Sequence, residues 1–134
     1  MRTIIFCGIS GFLAVFFGAF GAHILKNRIP EKMFAAFVTA NQYHFFHTFA
    51  LIAVAMLDQQ FKHRFFLFSK ISFIVGLIFF SGSLYLYAVI VDGSAVYFAR
   101  VAPLGGTAFM LGWLFLALGS IRAHYARSKS VFKK

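Results

Sequence analysis

Long apolar runs separated by short breaks divide the chain into four segments. The first run, residues 4–25, carries no charged side chain. At about 1.5 Å per residue it is long enough to cross the ~30 Å hydrocarbon core of a bilayer. It is also longer than the apolar core of a signal peptide, so we interpret it as a retained helix. The pattern predicts four membrane-spanning helices, at about residues 4–25, 30–57, 65–91 and 103–121.

The two prolines mark predicted helix starts. Pro30 suits the first position of a helix, and Glu31 follows it in the first turn, where an acidic side chain is favourable. Pro103 is predicted to open the fourth helix in the same way. Between the third and fourth helices, Asp92 begins a turn, and residues 94–99 are expected to lie along the membrane surface.

Composition agrees with a membrane protein of one domain. Of 134 residues, 61% are hydrophobic and 12% are charged, whereas soluble domains have about 45–50% and about 25%. So few charges cannot cover a small water-soluble fold. The sequence therefore predicts an all-α, integral membrane bundle of four antiparallel helices over residues 1–122. The single cysteine, Cys7, lies within the first run and is expected to be a small buried hydrophobe.

Basic residues are distributed unevenly between the two ends of such a bundle. Of the 13 Lys and Arg residues, nine fall on the side that holds both termini and the middle loop, and four fall on the other side. The positive-inside rule then places both termini in the cytoplasm, with residues 123–134 as a basic tail. The net charge of +10 fits anionic lipid headgroups. It does not indicate nucleic-acid binding, because no recognition motif accompanies it.

Small residues recur at helical spacing in three of the segments. Close packing across such residues, rather than hydrophobicity, joins helices within lipid. We expect these stripes to pack within the bundle, with contact between identical chains as the alternative. The stripes are Gly8, Gly11, Ala14, Gly18 and Ala22; Ser72, Gly76 and Ser83; and Gly105, Gly112 and Gly119.

Polar side chains at membrane depth form the candidate site. Using about 100° per residue, Asn41, His44, His47 and Thr48 fall within roughly 120° of helix arc. With the predicted topology they lie in the outer half of the bilayer, at the level of polar residues from the other segments. The candidate cluster comprises His23, Asn41, His44, His47, Ser81, Ser83, Tyr85, Gly105 and Gly106.

Three interpretations of this cluster remain open. It is an interhelical hydrogen-bond network that fixes helix register, a small outward-open pocket for a ligand, lipid headgroup or proton, or a metal or haem site formed by His23, His44 and His47. No cofactor is expected, since no acidic residue lies at this depth to support a metal-ligating histidine. Hydrolytic chemistry is not expected either. The pair Gly105 and Gly106 suits close packing better than an anion-binding turn.

The chain resembles a family of small bacterial membrane proteins, domain of unknown function 423, also called uncharacterised protein family 0382 (the YgdD type). The resemblance rests on short blocks that occur in the family's order over nearly the whole chain except the tail. They are GAFGAH at 18–23, FVTA at 37–40, YH at 43–44 with His47, FSGSLY at 80–85, PLGG at 103–106 and LGW at 111–113. The family pattern marks His23, His44, His47, Ser81, Ser83, Gly105 and Gly106.

The resemblance implies a multi-pass protein of the bacterial inner membrane with no assigned biochemistry. From the residues we expect a non-enzymatic structural, binding or complex-subunit role. Membrane lipids, and a homo-oligomer or a larger membrane complex, are the expected partners. The alternative is a small carrier or sensor that uses the histidine cluster.

Overall fold

The computed structural model describes residues 1–90 and 93–131. Within them the chain is helical apart from short connections, and no strand is present. The four long helices, called the first to the fourth below, are Arg2–Leu25, Glu31–Phe61, Arg64–Val89 and Ala95–Val131. A π-helical turn, Gly21–Leu25, ends the first helix, and another, Leu77–Gly82, interrupts the third. The predicted all-α four-helix fold is confirmed; the predicted turn at Asp92 lies outside the described residues.

Consecutive helices pack as neighbours in an open row. The first packs along the second, the second along the third, and the third, over its whole length, along the fourth. The second and fourth helices approach each other at only a few residues, and in the described ranges the first and fourth have no backbone contact. The outermost helices of the row therefore each have one neighbouring helix along most of their length.

The lipid-facing surface is apolar, as a bilayer requires. The first, third and fourth helices are each long and apolar enough to cross a membrane. The second has the length, at 31 residues, but polar side chains in its middle lower its hydropathy. Its position between the first and third helices gives those side chains protein partners, which is how polar groups are accommodated at membrane depth.

Phenylalanine rings of the third helix lie against glycines of the fourth. A methyl group added to Gly112 would lie 2.6 Å from the Phe73 ring, and one added to Gly119 would lie 2.8 Å from the Phe66 ring. The two phenylalanines are seven residues apart on the third helix, and the two glycines are seven residues apart on the fourth, in the reverse order. This spacing matches an antiparallel pair of helices in close contact. The prediction that this glycine stripe packs within the bundle is therefore confirmed.

Gly105 continues this interface with a closer approach. An added methyl group there would lie 2.2 Å from the backbone nitrogen of Phe80, so the two helix backbones nearly touch. From the opposite side, Gly76 of the third helix receives the ring of Phe109, which would lie 2.3 Å from an added methyl group. Each helix thus supplies both a ring and a glycine gap to the other.

The first helix buries a different face from the one its glycines predict. Cys7, Ser10 and Ala14 are buried, whereas a side chain at Gly8 or Gly11 would face open space. The predicted stripe is wrong for these two glycines. The physical reason is the hydroxyl of Ser10, which is hydrogen-bonded across to the second helix and so turns its own side of the first helix inward.

The fourth helix extends beyond its predicted limits at both ends. It begins at Ala95 and runs to Val131, whereas the sequence pattern predicts residues 103–121. Pro103 lies inside the helix instead of opening it. Proline removes one helical hydrogen bond, and helices in membranes tolerate this loss because neighbouring helices support the backbone. The expected surface stretch 94–99 and the start of the tail are therefore largely helical.

The connection between the second and third helices is also shorter than predicted. The second helix continues through Asp58 to Phe61, so only Lys62 and His63 remain as a loop. Lys62 adopts the left-handed conformation that ends the helix, with φ 47°. The carboxylate of Asp58 pairs with the ammonium group of Lys70 on the third helix, which ties the two helix ends together.

Candidate functional site

The polar residues at membrane depth separate into two groups at the two edges of one face of the second helix. The larger group joins the first three helices through hydrogen bonds and is called the His44 network below. At its centre is the imidazole of His44. Its Nε2 lies 3.0 Å from the hydroxyl of Ser10, and its Nδ1 lies 3.2 Å from the hydroxyl of Tyr85. The members of the His44 network are Ser10, Asn41, His44, Thr48 and Tyr85.

One proton arrangement satisfies the whole network. The amide of Asn41 donates to the hydroxyl of Tyr85 at 3.1 Å, so that hydroxyl directs its own proton to Nδ1 of His44. Nε2 of the neutral imidazole then carries the proton and donates to Ser10. The hydroxyls of Ser10 and Thr48 share a hydrogen bond of 2.7 Å in which either can donate. The network is a chain of hydrogen bonds that runs from the third helix through the second to the first.

Asn41 and Tyr85 hold the outer end of this chain in place. Besides Tyr85, the Asn41 amide donates to the backbone carbonyl of Ala14 at 2.7 Å. The Tyr85 ring packs between Phe17 and Phe37, with ring centroids 4.8 and 4.9 Å away. Both hydrogen bonding and packing therefore fix the relative positions of the first three helices at this level.

His47 lies at the other edge of this face and contacts the fourth helix. Its Nδ1 donates to the backbone carbonyl of Tyr43 at 2.9 Å, and its Nε2 accepts from the indole N–H of Trp113 at 3.2 Å. The imidazole lies parallel to the ring of Phe109, with a centroid distance of 3.5 Å. Each ring nitrogen of His47 already has a protein partner.

The two central histidines do not converge on one point. His44 faces the first and third helices, whereas His47 contacts the fourth. In the part of the chain that the structure describes, no group of three or more His, Cys, Asp or Glu side chains is placed to hold a metal ion. His23 is exposed at the end of the first helix and makes no contact with His44 or His47. Among the described residues, the three histidines of the metal or haem interpretation are therefore not brought together.

The other predicted site residues have separate positions. The hydroxyl of Ser83 donates to backbone carbonyls of its own helix, at 2.6 Å to Phe79 and 3.1 Å to Phe80. Ser81 is 1% exposed, and its hydroxyl has no hydrogen-bond partner among the described residues. Gly105 serves helix contact, as described above, while Gly106 lines a groove.

This groove, called the lateral groove below, lies where the second and fourth helices diverge. It encloses about 580 Å³, within the range of small-molecule sites. Its rim residues Phe46 and Met110 are 69% and 67% exposed, so the opening is on the outer surface of the bundle. The residues that matter most for its chemistry are Tyr43, His47, Phe80, Thr107, Phe109 and Trp113.

The sequence pattern missed several members of these sites, among them Ser10, Tyr43 and Trp113. Ser10 is the only hydroxyl in the first apolar run, and that isolation is a signal that a partner lies opposite. Tyr43 and Trp113 have an amphipathic character that suits a site with one polar edge. Their spacing alone did not show that they meet His47.

The fold and these sites define a small polytopic helical membrane protein in which most of the buried polar side chains among the described residues are hydrogen-bonded within the bundle. The chain belongs to the family described as protein of unknown function (DUF423), whose model matches residues 17–106. A membrane protein of uncharacterised family 0382 from Haemophilus influenzae is 38% identical over 115 residues, which cover 86% of this chain and 90% of that one.

Further relatives show the same full-length correspondence. The inner membrane protein YgdD of Escherichia coli K12 is 36% identical, covering 89% of this chain and 88% of its own length. The membrane protein YwdK of Bacillus subtilis is 34% identical, covering 91% and 98%. No solved structure matches the chain. The chain is thus a multi-pass protein of the bacterial inner membrane.

Proposed function

We propose that this protein is a non-enzymatic binding protein of the inner membrane. Its ligand is a neutral, chain-bearing amphiphile that enters the lateral groove from the bilayer. The observation that carries this proposal is the groove itself, which is large enough for a ligand and opens on the lipid-facing surface. A site that opens sideways receives its ligand from the membrane rather than from water.

The chemistry of the groove defines the ligand class. No charged residue lines it, and an ionic headgroup would be poorly compensated there. Aromatic rings form most of its wall, which suits an apolar chain or a flat ring. The hydroxyl of Tyr43 makes no hydrogen bond to another described residue and is available to one polar group of the ligand.

The His44 network supports a binding rather than a catalytic role. Each of its side chains is hydrogen-bonded to another member, so the network fixes the helices against which the groove is built. The groove contains no acid, and both nitrogens of His47 are occupied. General acid–base chemistry needs a group within reach of the reacting proton, and the imidazole of His47 is held by its two protein partners.

Trp113 makes the proposal testable, because it is the only tryptophan in the chain and lines the groove. The full chain in neutral detergent is titrated with a brominated long-chain alcohol, and quenching of Trp113 fluorescence is recorded. We expect saturable quenching, because bromine quenches at contact and the groove is a discrete site. The variant Gly106→Leu, whose side chain enters the groove, should lose the saturable phase.

Gly8→Leu is the matched control, because it adds the same side chain where there is open space. It should quench like the wild-type chain. Quenching that rises linearly without saturation in all three proteins would contradict the proposal. So would a stable complex in which a second copy, or a helix of another membrane protein, covers the groove; that result would favour a subunit role.

The orientation of the bundle is a separate prediction. The excess of basic residues at the end that holds both termini predicts that this end is cytoplasmic. A green fluorescent protein fused after Lys134 should fluoresce, since it folds in the cytoplasm. Alkaline phosphatase inserted after Arg28 should be active, since it folds only outside. The opposite pair of results would invert the topology and place the lateral groove in the other leaflet.

A further inference from the structure

The two ends of the lateral groove differ in polarity. Pro103, Gly106 and Thr107 line one end, and Trp113 lines the other, about 15 Å further along the fourth helix. The indole N–H of Trp113 is donated to His47, so this end presents ring surface and no unpaired polar group. The polar chemistry that the groove offers to a ligand is therefore concentrated toward the Pro103 end.

The Pro103 end is rich in hydrogen-bond acceptors. The hydroxyl of Thr107 donates its proton to the carbonyl of Pro103 at 3.0 Å, so toward a ligand this oxygen can only accept. Because proline has no N–H, Pro103 also leaves the carbonyl of Ala99 without its usual helical donor. Acceptors without donors are unfavourable in an apolar environment. A polar group of a ligand at this end must therefore donate a hydrogen bond.

Tyr43 supplies a donor at the same level from the second helix. Its ring packs on the ring of Phe80 at a centroid distance of 4.6 Å. The same Phe80 ring lies beside Gly106, 3.7 Å from an added methyl group. Tyr43 therefore lines the groove next to the turn that holds Gly106 and Thr107. Among the described residues its hydroxyl has no hydrogen-bond partner, so it can donate to a ligand.

We propose that the ligand of the lateral groove is a lipid alcohol, whose hydroxyl group lies between Tyr43 and Thr107 and whose chain extends toward Trp113. The assignment rests on the proposed function and names the polar group of the same ligand. A hydroxyl group accepts from Tyr43 and donates to Thr107 at once, whereas a ketone, an ester or an ether only accepts. A carboxylate or an ammonium group would carry a charge that no groove residue compensates.

Two bromododecanols test the direction of the bound chain through Trp113 fluorescence of the full protein in neutral detergent. Bromine at the far end of the chain should quench with saturation, because that end reaches the indole. Bromine on the carbon beside the hydroxyl group should quench much less, although this second alcohol should displace the first with similar affinity. Stronger quenching by the second alcohol would reverse the orientation and overturn the assignment.

Two substitutions separate the two hydrogen bonds. With the far-end bromoalcohol as the probe, Thr107→Val should weaken binding about fivefold, the value of one hydrogen bond. The methyl ether of this probe has no O–H, so it should bind the wild-type chain about fivefold more weakly. Thr107→Val should leave the affinity for the ether unchanged. Tyr43→Phe should weaken the binding of both probes, because the ether oxygen still accepts from Tyr43.

Thr39→Val is the matched control, because the hydroxyl of Thr39 also donates to the carbonyl four residues earlier but lies outside the groove. This variant should bind the alcohol like the wild-type chain. Saturable binding of the alcohol and the ether with equal affinity would overturn the hydroxyl assignment and leave the groove as a binding site. Absence of saturable binding by both probes would overturn the proposed function as well. Thr107 is exposed, so Thr107→Val should retain the helical circular dichroism of wild type.

Discussion

Replacing Gly105 with alanine is expected to lower the free energy of unfolding by about 1–3 kcal/mol, the usual effect of overpacking a filled interface. The added methyl group would lie 2.2 Å from the backbone nitrogen of Phe80. A side chain can rotate away from such a contact, but the backbone of a packed helix cannot. The third and fourth helices must therefore separate, which also weakens the packing of Phe73 and Phe66 on their glycines.

The measurement is a titration with sodium dodecyl sulfate in mixed micelles, followed by circular dichroism. Gly8→Ala is the control, because the same methyl group there meets nothing within 4 Å. Alanine is a better helix former than glycine by about 1 kcal/mol, so Gly8→Ala should be neutral or slightly stabilising. Equal destabilisation by both changes would mean that the close approach at Gly105 is absent.

His44→Ala is expected to lower the free energy of unfolding by about 2–4 kcal/mol. It removes the hydrogen bonds to Ser10 and Tyr85, each worth about 0.6–1.7 kcal/mol between membrane helices. It also leaves a cavity at a buried position, which adds to the loss. The change removes the link that this imidazole makes between the first and third helices, and leaves the bridge that Asn41 makes between Ala14 and Tyr85.

A double-mutant cycle with Ser10→Ala separates the hydrogen bond from the lost packing. The coupling energy between Ser10 and His44 should be about 0.6–1.7 kcal/mol in favour of the folded state. His23→Ala serves as the control, since His23 is exposed and should change stability by less than about 0.5 kcal/mol. A coupling energy near zero would show that the hydrogen bond between Ser10 and His44 does not contribute to stability.

The helices could be predicted from the sequence because an apolar run of this length forms a membrane-spanning α-helix in a bilayer. Their limits were less predictable, and Pro103 shows why. The proline is a common first residue of a helix in water, but here it lies within the fourth helix, supported by close packing of that helix on the third. The sequence shows which residues favour a boundary; the neighbouring helix decides whether they form one.

The candidate site was predicted in its residue types but not in its arrangement. His44 and His47 lie on the same face of the second helix. At one edge of that face His44 contacts the first and third helices, and at the other edge His47 contacts the fourth. The π-helical turn Leu77–Gly82 also alters the periodicity of the third helix. A count of 100° per residue therefore did not locate Tyr85 relative to Ser81. The direction in which each side chain points depends on packing that no local pattern records.

The open row of helices gives the lateral groove a way to widen. The contact between the second and fourth helices is made chiefly by His47 with Trp113 and Phe109. A small outward swing of the fourth helix would break the hydrogen bond between His47 and Trp113 and the ring contacts that His47 and Tyr43 make with the fourth helix. The His44 network, which involves only the first three helices, would stay intact. This movement would let the lateral groove accept a wider ligand, while the first three helices keep their arrangement.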